Sequence, residues 1–302
     1  VRWLPALLVL LLAAGCSDSR TVAIDEVPAA AEDVPVTQDA STGSYTLDCG
    51  RNEERHLNAD NMVINPGRPF GAHHTHEYVG NLTTDAYSTD QSLAAAGTTC
   101  AAGDLSAYYW PVLRVTDRTG HDAHAQGGGV HGNTGEVLVP AEVTITFTGS
   151  PVSKVVPLPR FLRTITGDPA ALTTGGGRAK WSCTGFEDRQ TDLYPVCAAG
   201  SLVVRTFDFP SCWDGRNTDS PSHRAHLEHP AANGVCRLGT FPVPRLRLRV
   251  AYDVPSGHPF AIDSFPEQLR DPRTDHAMFV DVMPDALMNE VVTCLNAGRT
   301  CP

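Results

Sequence analysis

Apolar and polar residues alternate with a period of two through Glu142-Val-Thr-Ile-Thr-Phe-Thr148, the pattern of a strand buried on one face. Leu202–Phe207 and Arg245–Tyr252 repeat it. In the latter, Leu246, Leu248 and Val250 share one face, and Arg245, Arg247 and Arg249 share the other, expected as a solvated face rather than an anion site. Ala107–Val115 reads as a further strand whose Pro111 belongs at an edge or a bulge, since proline has no ladder donor. Gly, Pro and Asp clusters punctuate these short runs. Helical periodicity is scarce. It is clearest over Asp285–Ala297, where Leu287, Met288, Val291, Val292 and Leu295 form one stripe, with Pro284 before it and Gly298 after. The expected fold class is mainly β, β-sandwich-like, with long loops and a C-terminal helix.

Residues 1–16 have a different pattern. Arg2 precedes an apolar run from Leu4 to Ala14, followed by Gly15-Cys16. The run is shorter than the roughly 20 residues a spanning helix needs and has the layout of an export signal. Ala13-Ala14-Gly15-Cys16 resembles a bacterial lipoprotein box, which implies cleavage before Cys16 and its lipidation. The alternative is a plain signal peptide and a secreted chain. Residues 17–44 are acidic and poor in bulky apolar side chains, and are expected as a disordered linker between membrane and fold. Residues 45–302 are expected to form one domain.

Removing Cys16 leaves eight cysteines, an even number with no Cys-x-x-Cys pair, which in an exported chain argues for disulfides. Chain order makes Cys49–Cys100, Cys183–Cys197, Cys212–Cys236 and Cys294–Cys301 the simplest pairing. The formal net charge of −11 argues against a nucleic-acid partner, which calls for a basic face. The only membrane contact expected is through the lipid anchor.

The histidines cluster as His73/His74/His76, His121/His124/His131 and His223/His226/His229. Two apart on a strand, His74 and His76 point to one face, as a His-x-His metal site requires. His121, His124 and His131 flank Gly127–Gly129 and read as an adventitious loop. Within Phe209–His226, Asp214 or Asp219 is placed to orient His223 or His226, for acid/base work or as support to a metal half-site. In the bland account, those Asp residues are turn-formers and Trp213 is core.

Phe209-Pro-Ser-Cys-Trp-Asp-Gly215, followed by Asp219-Ser-Pro-Ser-His223 and His226, resembles the hallmark of a secreted family of domains of unknown function, numbered nineteen ninety-six. Pro66-Gly67, His74-Thr-His76, Gly80-Asn81, Thr98-Thr-Cys100, Tyr108–Val112 and Gly167-Asp-Pro169 agree in order, so the similarity covers roughly residues 45–300. The family's C-terminal His-Gly-Asp-aromatic run departs here: His276 and Phe279 match, but Met278 stands where the family has Asp. Asp275 and Asp281 are the nearby substitutes. The resemblance implies an exported protein in a polysaccharide or cell-wall context.

The expected function is therefore an enzyme on extracellular glycan, with catalytic candidates His74, His76, Asp214, Asp219, His223, His226 and His276. The expected metal ligands are His74, His76 and His226, for a divalent ion of unspecified identity. A non-catalytic surface protein that binds glycan or metal, with Trp110, Trp181 and Trp213 as stacking platforms, is the alternative. Both require distant stretches of chain to meet in one place.

Overall fold

Strands with one apolar face need a second such face to bury it against, and the chain provides two large sheets. The computed structural model describes residues 20–30, 34–119, 132–177 and 180–302. The export signal with Cys16, and His121, His124 and His131, lie outside the described residues.

The larger sheet has six strands in the order Lys180–Cys183, Val203–Asp208, Arg245–Tyr252, Glu142–Thr148, Ser44–Leu47 and Thr300–Cys301. Only the last pair is parallel. Leu246 pairs with Phe147, Leu248 with Ile145 and Val250 with Val143, so the alternation seen in the sequence becomes one apolar face. On the other face Arg247 bonds Asp208 at 2.8 Å and Arg249 bonds Glu142 at 2.7 Å, as a solvated charged face should.

The second sheet is antiparallel, in the order Leu57–Asn58, His76–Gly80, Ala107–Pro111, His276–Val280 and Arg163–Gly167. Phe147, Leu248 and Val250 of the first sheet join Tyr108, Trp110 and Phe279 of the second in one buried cluster. Each such side chain contributes about 1.5–3 kcal/mol. Pro111 lies in a central strand rather than at an edge. It is the strand's last residue, after which the Val112 amide turns to the Thr75 carbonyl at 3.0 Å, so no ladder donor is missed.

The helix spans Asp285–Asn296 and buries Met288, Val291, Cys294 and Leu295. All four disulfides follow chain order: Cys49–Cys100, Cys183–Cys197, Cys212–Cys236 and Cys294–Cys301. Trp110 and Trp181 are fully buried, so neither can stack on a glycan; Trp213 is partly exposed.

The described part of the 17–44 segment is folded onto the domain, contrary to the expected disorder. Thr21–Ala23 pairs in parallel with Tyr194–Val196, and Ile24 and Val27 pack on Cys183. Further on, Ser41 donates to Ser150 at 2.8 Å. An averaged composition hides the three apolar residues Val22, Ile24 and Val27, which suffice once an unpaired strand lies beside them.

Candidate metal centre

The second sheet brings distant histidines to one level. His76 is paired with Pro111, and continuing the Met278–Tyr109 register puts His276 level with Pro111 on the other side. Residues level in register point to the same face, and two strand spacings separate their backbones by about 9.6 Å. The compact proline ring between them lets the two imidazoles meet above it. His74 joins from the turn ahead of the strand. The three Nε2 atoms form a triangle: 3.0 Å for His74–His76, 3.2 Å for His74–His276 and 3.5 Å for His76–His276. The rings are 2%, 0% and 1% exposed for His74, His76 and His276.

Two buried ion pairs hold the backbone beside these rings. Arg114 Nε donates to Asp263 Oδ1 at 2.7 Å. The same carboxylate accepts the Thr75 amide at 3.1 Å, and Arg114 reaches Thr75 Oγ1 at 3.2 Å, so the residue between His74 and His76 is clamped. Arg205 binds Asp275 through two hydrogen bonds of 2.9 and 2.5 Å, and Asp275 Oδ1 accepts the His276 amide at 2.9 Å. Gly167 opposes His276 with φ of +78°; a Cβ there would lie 2.2 Å from the Asp275 carbonyl oxygen and 2.6 Å from His276 Cα. Only glycine permits that approach.

The hydrogen bonds fix the tautomers. Nδ1 of His76 donates to the Asp60 carbonyl at 2.9 Å, and Nδ1 of His276 donates to the Thr274 carbonyl at 2.9 Å. A neutral imidazole has one N–H, so both Nε2 atoms present bare lone pairs. Nδ1 of His74 faces the Ala72 carbonyl without closing a regular hydrogen bond. The three nitrogens thus share at most one proton. Burial first, then the neighbouring imidazoles, lowers His74 well below the usual range and His76 to about 3. Burial likewise lowers His276 to about 4. All three are neutral at physiological pH.

Three Nε2 atoms converging on one point, each ring steered by a carbonyl at its far nitrogen or facing one, is the arrangement that imidazole ligation of a metal requires once any shared proton has left. An ion ~2.05 Å from each nitrogen would subtend N–metal–N angles of about 94–117° on this triangle, around the tetrahedral value. Among the described residues no fourth His, Cys, Asp or Glu atom completes the group. Phe265 lies edge-on to His74, 5.2 Å between ring centres, and also lines a cavity of about 530 Å³ with Arg68, Phe70 and His73. Cys49, Cys100 and Asp104 also cluster, but a disulfide consumes both thiols.

The remaining candidates sit one strand away. The loop after Trp213 caps the edge strand Arg163–Gly167: the Arg163 amide donates to the Thr218 carbonyl at 2.8 Å, and Arg224 donates to the Gly167 carbonyl at 2.7 Å. His226 places Nε2 2.7 Å from the Arg163 carbonyl and Nδ1 3.0 Å from Ser220 Oγ, so neither nitrogen is left for a metal. His276 occupies the place in the triangle expected of His226. Asp219 does orient His223, Oδ1 to Nδ1 at 2.8 Å. Asp214 accepts the amides of Arg216 and Asn217, both at 2.9 Å, in the turn-forming role. Met278 follows His276 on the same face and packs with Tyr109 and Ile165. Asp275 is held by Arg205, and Asp281 lies near Ser106 and Asp104, so neither carboxylate joins the three imidazoles. Arg114 and Arg205, the clamps, gave no signal in the sequence beyond sitting inside apolar strands.

The family described as a domain of unknown function, DUF1996, matches residues 61–270, which includes His74, His76 and the capping loop and stops before His276. No curated protein and no solved structure matches.

Proposed function

The chain belongs to the DUF1996 family, and we propose that this member is an exported metalloprotein in which His74, His76 and His276 hold one divalent first-row ion. The observation that carries this reading is the triangle of Nε2 atoms, 3.0–3.5 Å apart, sharing at most one proton. Imidazole suits Zn, Cu, Fe and Ni. Structural zinc sites close all four positions with protein atoms, whereas three-ligand sites keep one for water or substrate. The count of three among the described residues favours a catalytic ion, acting as a Lewis acid or generating a nucleophile from bound water. Extracellular or cell-wall glycan is the substrate class that the family's context supports. Four disulfides fit an extracytoplasmic chain, and among the described residues no helix is long and apolar enough to cross a membrane. Lipidation at Cys16 is the anchor we assign.

Near-complete burial of the rings favours a second reading, in which the ion is held without turnover and Phe265 covers it. Elemental analysis of tag-free protein, with cobalt replacement read by visible absorption, tests the centre: one ion per chain is expected, and none in His74→Ala. A stoichiometry that does not depend on His74 overturns the centre. A glycan panel with product detection then separates the readings. Products lost in His74→Ala establish the enzyme, and full occupancy without products establishes the binding protein.

A further inference from the structure

Ser220 Oγ lies 3.0 Å from His226 Nδ1, and His226 Nε2 lies 2.7 Å from the Arg163 carbonyl oxygen. A carbonyl only accepts, so the proton of the neutral ring is on Nε2 and the Nδ1 lone pair faces the serine. The other hydroxyl near Ser220 is Ser222 Oγ at 3.5 Å, so the Ser220 proton goes to His226. Ser220 is partly exposed while His226 is buried, an arrangement that leaves the oxygen reachable and keeps the base in place. The bond that caps the sheet edge is the same bond that orients the ring.

We propose that Ser220 is an activated nucleophile, with His226 as its base and the Arg163 carbonyl as the group that orients the base, acting on small acyl esters of hydroxylated compounds. The substrate class follows from a groove of about 530 Å³ that reaches the pair through Asp219, the residue before Ser220, and through Arg163, whose carbonyl holds His226; there Asp219, Arg163, Ser88 and Thr89 offer polar contacts to hydroxyls, and Met62 and Val63 offer an apolar wall to a short acyl group. Asp219 is turned to the His223 ring and the Ser220 amide, each at 2.8 Å.

In the reaction, Ser220 Oγ bonds to the ester carbonyl carbon as its proton passes to His226 Nδ1. The imidazolium keeps its Nε2–H on the Arg163 carbonyl. The carbon–alkoxy bond breaks, the alcohol leaves with the proton from Nδ1, and water then releases the acid by the reverse transfers. No metal takes part, so this activity is separate from the histidine centre.

An alkyl fluorophosphonate probe on the intact purified chain, followed by peptide mapping, tests it, together with hydrolysis of p-nitrophenyl acetate. One label on Ser220 is expected, unaffected by EDTA. His226→Ala should slow labelling about 100-fold or more, the usual contribution of a general base, whereas Ser222→Ala should stay within about twofold. Because His226→Ala also loosens the sheet edge, Ser220→Ala carries the decision: it must lose label and esterase turnover while melting with the parent. No label above a denatured control, a label on another residue, or turnover surviving in Ser220→Ala overturns the proposal.

Discussion

Metal ligation should appear as a stability increment that one ring removal abolishes. In the ion-free protein three Nε2 atoms sit 3.0–3.5 Å apart with at most one proton among them, so an ion relieves repulsion as well as binding. At a free metal concentration 100 times Kd, ligation adds about 2.7 kcal/mol to unfolding. For a domain of this size 1 kcal/mol moves Tm by about 2–4 °C, so chelation should lower Tm by about 5–10 °C. His76→Ala removes a fully buried ring whose centre is 5.4 Å from that of Tyr109, and the cavity costs about 2–5 kcal/mol by itself. Its absolute Tm is therefore uninformative. The informative quantity is the difference between metal-loaded and chelated samples, which should vanish in His76→Ala. It should persist in His56→Ala, where the lost ring stacks on Tyr78 outside the triangle. Differential scanning fluorimetry over a zinc and copper titration measures both. Equal increments in parent and His76→Ala would refute the reasoning.

Asp263→Ala removes the carboxylate that pairs with the buried Arg114 guanidinium and accepts the Thr75 amide, and should cost about 3–5 kcal/mol in urea unfolding and lower metal occupancy. Gly167→Ala forces a Cβ onto the Asp275 carbonyl and His276, so elemental analysis should show reduced loading even in fractions that remain folded. Asp281 is raised well above the ordinary carboxylate range by burial and by Asp104. The folded state thus retains a proton that the unfolded chain loses near pH 4, and stability falls as pH rises from about 4 through the raised value. Asp281→Asn should flatten that fall, read as urea midpoints between pH 4 and 8. Replacing Cys49 and Cys100 by Ser opens a loop with a sequence separation of 51 and should cost about 4 kcal/mol by chain entropy, seen in thermal unfolding under otherwise identical conditions.

Features governed by neighbours in sequence were legible before the fold was known. The alternation of Arg245–Tyr252 reports its own two faces, and the stripe from Leu287 to Leu295 reports its helix. Pairing each cysteine with the next along the chain was the simplest choice, and it holds for all four bridges. His74 and His76 reveal themselves because two residues on an extended chain share a direction. His276 as their partner was not legible, since its place depends on a sheet order in which Ala107–Pro111 separates two strands 200 residues apart. His226 was expected to be oriented by Asp214 or Asp219, but its nitrogens are committed to Ser220 and the Arg163 carbonyl. The acidic stretch ahead of Ser44 misled because charge dominates its average while a few aliphatic side chains decide where it docks.

The distance along the chain between Thr75 and His276 has a biosynthetic consequence. A ribosome or translocon that has released only the first half of the protein has delivered two of the three imidazoles of the proposed centre, too few for a tight hold on an ion. In the proposed centre the third imidazole arrives only with the strand His276–Val280. On that proposal, selection of the ion falls to the compartment in which the finished polypeptide folds, and a chain cut short before that strand would lack the third imidazole.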